Sequence, residues 1–258
     1  MLLSFALRLL LSVQPQDRPF EILDNSFFVE EAFNQEKGVV QNINGFLKGE
    51  SGWAYAFTQE WPMWSQTHQF SYTLPFTGSD EGNGVGDVIL NYRYQALMEG
   101  PGRPAFSPRV SLILPSGNPD RGTGDGVVGW QFNLPFSKQR KDLYFHWNGG
   151  VTILPRVHEE TGEDVNLVSP TLAGSAIWRM KPMLNPMLET VMAWIEQPAA
   201  GGATSRTATF TLSPGVRGGW NFGDQQLVLG FAVPVTWSAN STDAAAFLYL
   251  SYELPFKK

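Results

Sequence analysis

Asp243-Ala-Ala-Ala-Phe-Leu-Tyr-Leu-Ser-Tyr-Glu-Leu-Pro-Phe256 decides how this chain is read. Ala246, Leu248, Leu250, Tyr252, Leu254 and Phe256 are apolar at every second position. The residues between are mixed: Ser251 and Glu253 are polar, Phe247 and Tyr249 are not. Side chains of a strand point alternately to its two faces, so this stretch is a strand with one apolar face. It ends on an aromatic, as the last strand of a bacterial outer-membrane barrel tends to do, although Lys257 and Lys258 follow it here.

Outward from this stretch the same period recurs through the chain. Trp53, Tyr55, Phe57 and Trp61 share one face, and Phe70, Tyr72, Leu74 and Phe76 the next. Val88 to Tyr94, Val110 to Leu114, Val128 to Phe136 and Leu143 to Ile153 follow, then Val168 to Trp178, Leu184 to Trp194, Phe210 to Trp220 and Leu227 to Trp237. Val39–Lys48 alternates more weakly and brings the expected count to twelve. An even number suits a closed antiparallel transmembrane β-barrel, the fold class expected for the all-β region 38–258. The opposite faces carry Asp87, Asn91, Arg93, Gln95, Arg109, Gln131, His146, Arg179, Glu189, Arg217 and Glu253. An arginine facing lipid at mid-membrane costs roughly 2–4 kcal/mol, so the polar face is expected to be the lumen.

Composition agrees. Charged residues make up 16% and the formal net charge is −6, which argues against a nucleic-acid binder, whose mark is a basic stripe. No apolar run reaches the ~20 residues of a membrane helix. Without cysteine there are no disulfides, cysteine metal sites or thiol catalysis. Residues 1–13 form an apolar run resembling the core of a signal peptide, without a basic start or a clean cleavage site; a short apolar helix is the alternative.

With the N-terminus on the periplasmic side, the outer loops are expected at Gly78–Gly84, Ser116–Gly124, Arg156–Glu163, Gln197–Ser205 and Ser238–Thr242. The inner turns are expected at Met63–Thr67, Met98–Arg103, Ser137–Lys141, Met180–Pro182 and Phe222–Asp224. The outer loops are the longer on average, as in outer-membrane barrels. Every tryptophan except Trp64 falls on the apolar face, several near strand ends where the ring can lie at headgroup level. Pro75, Pro135, Pro186, Pro214 and Pro234 interrupt strand patterns and are expected at strand ends, bulges or bends.

Asn25-Ser-Phe-Phe-Val-Glu-Glu-Ala-Phe-Asn-Gln-Glu-Lys-Gly-Val-Val-Gln-Asn42 is not a strand pattern. Together with Phe57-Thr-Gln-Glu-Trp-Pro62, His68-Gln-Phe-Ser-Tyr-Thr-Leu-Pro75 and Gly86-Asp-Val-Ile-Leu-Asn-Tyr-Arg-Tyr94, it resembles the outer-membrane transporters of the family named for the meta-pathway of phenol degradation. The resemblance covers most of the chain from Asn25. It implies a barrel in the outer membrane of a Gram-negative bacterium that passes small solutes, hydrophobic or aromatic compounds among them. Its motifs are structural, not catalytic.

The residues expected to line a pore are Glu60, Asp87, Arg93, Arg109, Gln131, His146, Arg179, Glu189, Arg217 and Glu253, since rings of charge set selectivity. Alternatively they pair into a network that fills a narrow barrel. The segment 14–37, and Glu21–Lys37 in particular, is either a plug whose carboxylates meet the inward arginines or a periplasmic arm closing the barrel base. No G-x-S-x-G is present, and the glycine-rich stretches Gly82–Gly86 and Gly122–Gly126 lack the G-K-[ST] ending of a phosphate loop. The acidic run His158–Asp164 lacks EF-hand spacing and reads as a solvated loop. The expectation is a passive channel, not an enzyme, with no cofactor. Its partners would be outer-membrane lipid, a small-molecule solute and, through the C-terminal strand, the barrel-assembly machinery. The alternatives are a lipid-acting enzyme with His146 as base, and a soluble barrel binding a hydrophobic ligand with its apolar face inward.

Overall fold

The computed structural model describes Ile22 and residues 26–158, 162–181 and 183–256. The signal-like run at 1–13 lies outside the described residues, as do much of 14–25 and loop positions 159–161. Sixteen strand segments follow in chain order: β1 (Val39–Lys48), β2 (Gly52–Met63), β3 (His68–Ser79), β4 (Gly82–Val85), β5 (Val88–Tyr94), β6 (Ala105–Phe106), β7 (Arg109–Leu114) and β8 (Gly129–Arg140). Then come β9 (Leu143–His158), β10 (Asp164–Trp178), β11 (Leu184–Ala199), β12 (Ala203–Phe222), β13 (Gln225–Ala232), β14 (Val235–Trp237), β15 (Thr242–Ala244) and β16 (Ala246–Pro255). Interrupted strands account for the surplus over twelve: β4 runs into β5, β6 into β7, β13 into β14 and β15 into β16. The result is a closed antiparallel barrel of twelve strands.

Closure joins the chain's ends. β1 pairs with β16 from Val39 opposite Pro255 to Lys48 opposite Ala246, so neither strand is left with an open edge. Val39–Lys48, the weakest strand pattern, is thus held on both sides, by β16 and by β2. Of the five prolines that interrupt strand patterns, four fit their ladders through the same accounting, while Pro186 lies in an unbroken register opposite Val216, two residues from the start of β11. Pro75 lies opposite the break between β4 and β5, and Pro135 opposite the break between β6 and β7. Pro214 and Pro234 face the switch of β12 from β13 to β14. A residue without an N–H is tolerated where its neighbour's ladder is already interrupted.

The apolar face points outward. Trp53, Trp130, Phe132, Leu134, Leu172, Trp178, Phe210, Trp220, Phe231 and Leu248 are all exposed. Aromatic pairs ring both ends: Phe46 on Trp53 and Phe210 on Trp237 at one, Trp61 on Phe256 and Phe136 on Trp147 at the other. This is opposite to a soluble barrel with an apolar interior. One stretch of the wall departs from the apolar rule. On β1 to β3 the outward Asn42, Asn44 and Gln59 satisfy one another and the polar tips of Tyr55, Tyr72 and Trp61 at 2.7–2.9 Å.

Several expected turns are shorter than their sequence suggested. Ser137–Lys141 reduces to 141–142, because β8 runs to Arg140 and Ser137 is fully buried on the interior face. Gln197–Ser205 reduces to 200–202 between β11 and β12. By contrast the loop between β7 and β8, expected at Ser116–Gly124, widens to residues 115–128, with a 3-10 turn at Pro119–Arg121.

The interior is not purely polar. Phe247 and Tyr249, the apolar residues on the otherwise polar face of the last strand, form its base with Val228 and Ala232. Ile22, Phe27 and Phe28 of the segment before β1 pack on them. Glycines on β12 and β13 make the room. A Cβ at Gly219 would lie 2.8 Å from Ile22, one at Gly215 would lie 2.9 Å from the Phe27 ring, and one at Gly230 would overlap that ring. Gly230→Val should therefore expel Phe27 while leaving the barrel closed, at an overpacking cost of about 1–3 kcal/mol. Thermal unfolding in detergent should show a lowered midpoint; an unchanged midpoint would mean that Phe27 does not need that space.

Candidate functional site

The segment before β1 lies inside the barrel. It has no strand or helix of its own between Ser26 and Lys37, so its backbone groups need other partners. The wall's side chains supply them. Glu189 accepts from the amides of Phe28 (2.8 Å) and Val29 (3.1 Å). Asn148 accepts from the Glu30 amide and donates to the Glu30 carbonyl, both at 2.8 Å. Ser137 accepts from Ala32 at 2.7 Å, Gln95 from Asn34 at 2.9 Å and Gln69 from Gln35 at 2.6 Å. Ser26 and Ser175 share a hydroxyl contact of 2.6 Å. The segment crosses the interior from the β10–β13 side to the β3–β8 side. It then turns into β1 at Gly38, whose φ of 86° favours glycine.

Its anchor is Glu30. One carboxylate oxygen accepts from Arg93 Nη1 at 3.0 Å and the other from Arg109 Nε at 2.9 Å and Asn133 Nδ2 at 2.7 Å. Arg93 is 2% exposed and also donates to the carbonyls of Glu31 (3.2 Å) and Phe33 (2.6 Å) and to Asn34 Oδ1 (2.9 Å). Glu60 stands 3.9 Å from the same guanidinium. Arg109 is held in turn by Asn91 and Gln131, each at 2.9 Å, and by Ser111. Burial alone would push the Glu30 carboxyl up. The Arg109 and Arg93 guanidiniums, with the hydrogen bonds from Asn133 and Arg109, more than offset it and hold the group below the usual carboxylate range.

The residues named from sequence fall into three places. Glu60, Arg93, Arg109 and Gln131 join at the Glu30 cluster. His146, Glu189 and Arg217 are buried on the interior face farther round the wall, at 3%, 0% and 1% exposure. The other three lie away from mid-barrel. Asp87 binds the amides of Gly117 (2.8 Å) and Asp125 (2.9 Å) and so pins the loop between β7 and β8. Arg179 lies past the end of β10, over the Tyr144 ring. Glu253 faces Gln41 and Gln226 near the end of β16. Ser137 and Gln69 were not singled out from sequence. The only sequence signal for either was a polar residue at an inward position, which for Ser137 was hidden by reading it as a turn.

Ser137 Oγ lies 2.7 Å from His146 Nδ1, the pairing a hydrolase would need. Both are buried inside the barrel, away from the lipid-facing surface, and Ser137 also accepts from Ala32. Ser137 thus holds the segment, and His146 its hydroxyl. Among the described residues no group of three or more His, Asp or Glu is placed to hold a metal ion.

No protein-family model and no curated protein matches the chain. Solved structures do. A COG4313 outer membrane channel from Pseudomonas putida F1 is similar over 94% of this chain and 99% of its own, with 13% identity and a TM-score of 0.67. A NanC porin is similar over 85% of this chain and 100% of its own (11% identity, TM-score 0.51). A KdgM porin is similar over 81% and 97% (11% identity, TM-score 0.50). At these identities the likeness is one of fold: this chain has the fold of outer-membrane β-barrel proteins.

Because the folded pKa of Glu30 lies below its unfolded value, its ionised form stabilises the docked segment above the ordinary carboxylate range. That contribution is lost as pH falls through the lowered value. Amide hydrogen exchange over residues 26–36, corrected for the intrinsic pH dependence, should show protection at neutral pH that fades in acid. In Glu30→Gln the protection should be weakened already at neutral pH; equal protection in both chains would deny Glu30 this role.

Proposed function

We propose that this protein is a passive channel of the bacterial outer membrane for small solutes, and that the segment 26–37 sets how far its lumen is open. The observation that carries the reading is the contrast between the two sides of one closed wall. The outside is an apolar belt with aromatic rings, and the inside is lined by Arg93, Arg109, Gln131, His146, Glu189 and Arg217. A wall of that kind is stable in lipid and offers water or a polar solute a place inside it. The likeness to solved outer-membrane channels and porins supports the same reading.

The segment fits the role of a movable obstruction. Across 26–37 it is held by side-chain hydrogen bonds, ion pairs and aromatic packing, and it shares no ladder with the wall until β1. It can leave without breaking a strand pair. Small solutes, hydrophobic or aromatic ones included, are the cargo that the family resemblance suggests. The lipid-facing belt makes outer-membrane lipid the surrounding partner, and the apolar, aromatic-ended β16 is the strand we assign to the barrel-assembly machinery.

Ionic current through purified protein in a planar bilayer tests the channel reading; a chain silent under every voltage and solute condition would end it. The segment is tested by a disulfide in a chain that has no other cysteine. Ser26 and Ser175 hydroxyls are 2.6 Å apart, so cysteines at both positions can bridge. Oxidised Ser26→Cys/Ser175→Cys should conduct less than the same protein after reduction. Equal currents would show that the segment does not obstruct the path.

A further inference from the structure

The contacts of Glu30 are those of a carboxylate-binding site, seen from the ligand's side. Its two oxygens receive hydrogen bonds from Arg93 Nη1, Arg109 Nε and Asn133 Nδ2. The two guanidiniums only donate and carry positive charge, so the site favours an anion with two acceptor oxygens over a neutral amide, whose single oxygen cannot satisfy both donors and Asn133 as a carboxylate does. All belong to the wall, on β5, β7 and β8. The wall also orients Arg109 without Glu30, through Asn91, Gln131 and Ser111. With the segment gone, Arg93 would keep Glu60 of the wall at 3.9 Å as its nearest carboxylate among the described residues.

The geometry points to a solute-binding site at Arg93, Arg109 and Asn133 for the carboxylate of a small organic acid, which Glu30 occupies as an internal competitor. A carboxylate solute entering the lumen displaces Glu30 and so loosens the segment that Glu30 anchors. The inference deepens the channel reading above and rests on it for its physiological meaning. It assigns both the solute class and the trigger to one cluster of residues. The far end of a glutamate side chain is chemically a propionate, so propionate is the matching probe and propionamide its uncharged counterpart.

Val29 is 1% exposed and adjoins Glu30 without joining its ion-pair cluster, which suits it to report release of the segment's charged end. Single-cysteine Val29→Cys protein in detergent is labelled with a maleimide reagent under four conditions: buffer alone, sodium propionate, propionamide, and sodium chloride at the same ionic strength. An anchor held by a tether competes at an effective concentration in the millimolar range, so ~100 mM propionate should speed labelling by about tenfold. Propionamide should leave the rate unchanged, and chloride should raise it far less, since it only screens the pair. With Glu30→Gln added, labelling should be fast without any solute and indifferent to propionate.

Equal acceleration by propionate and chloride would overturn the inference, because screening would then be the whole effect. Equal acceleration by propionate and propionamide would overturn it too, as would a Glu30→Gln background no faster than the parent. Labelling needs no ionic current. A chain that shows the expected labelling pattern but never conducts would refute the channel reading and leave the binding site standing. A conducting chain blind to propionate would do the reverse.

Discussion

Every backbone N–H and C=O at membrane depth must find a partner inside the protein, because lipid offers none. The rest of this structure depends on that constraint. The wall meets it by closure: β1 lies between β2 and β16, and no strand edge is left open to lipid. Pro75, Pro135 and Pro214 meet it by sitting where a neighbouring ladder is already broken, so that a missing N–H leaves no orphaned carbonyl at a regular pair. The irregular segment inside the barrel meets it differently. Its amides are taken up one by one by Glu189, Asn148, Ser137, Gln95 and Gln69.

That second solution explains why so many uncharged polar side chains point inward. Asn91, Asn133, Asn148, Gln69 and Gln95 are not spread as a water-filled channel alone would need. Each completes a backbone group of the segment, the Glu30 carboxylate or a guanidinium that holds it. An interior built this way is specific. Replacing one amide strands a buried donor or acceptor on the segment, which costs about 1–3 kcal/mol. The same interior is also reversible, since none of these bonds belongs to a strand ladder.

The apolar interior residues serve a complementary purpose. Phe247, Tyr249, Val228 and Ala232 form a base for Phe27 and Phe28, and the glycines of β12 and β13 open the space in front of it. One end of the segment is thus fixed by burial and the other by charge. Aromatic packing depends little on pH or salt, whereas the pairing of Glu30 with Arg93 and Arg109 depends on both. Changes in solution conditions therefore act first on the charged end.

The sequence by itself determined the wall. Period-two alternation is a local property, and it identified the strands, the outward apolar face, the inward arginines and the even count, because a one-residue slip would turn every side chain to the wrong solvent. It also showed that the stretch before Val39 is not a strand and carries carboxylates beside aromatics. It left open whether that stretch plugs the barrel or lies beneath it. Turn lengths were less legible, since Ser137 and Lys138 look like turn residues until His146 and Phe145 are seen to pair with them. Only the tertiary structure decided where the segment lies and which carboxylate meets which arginine. Glu30 is separated from Arg93 and Arg109 by 63 and 79 residues, and no local pattern encodes a contact made across a lumen. It also decided why Phe247 and Tyr249 break the polar face of the last strand: they pack against a part of the chain more than two hundred residues away.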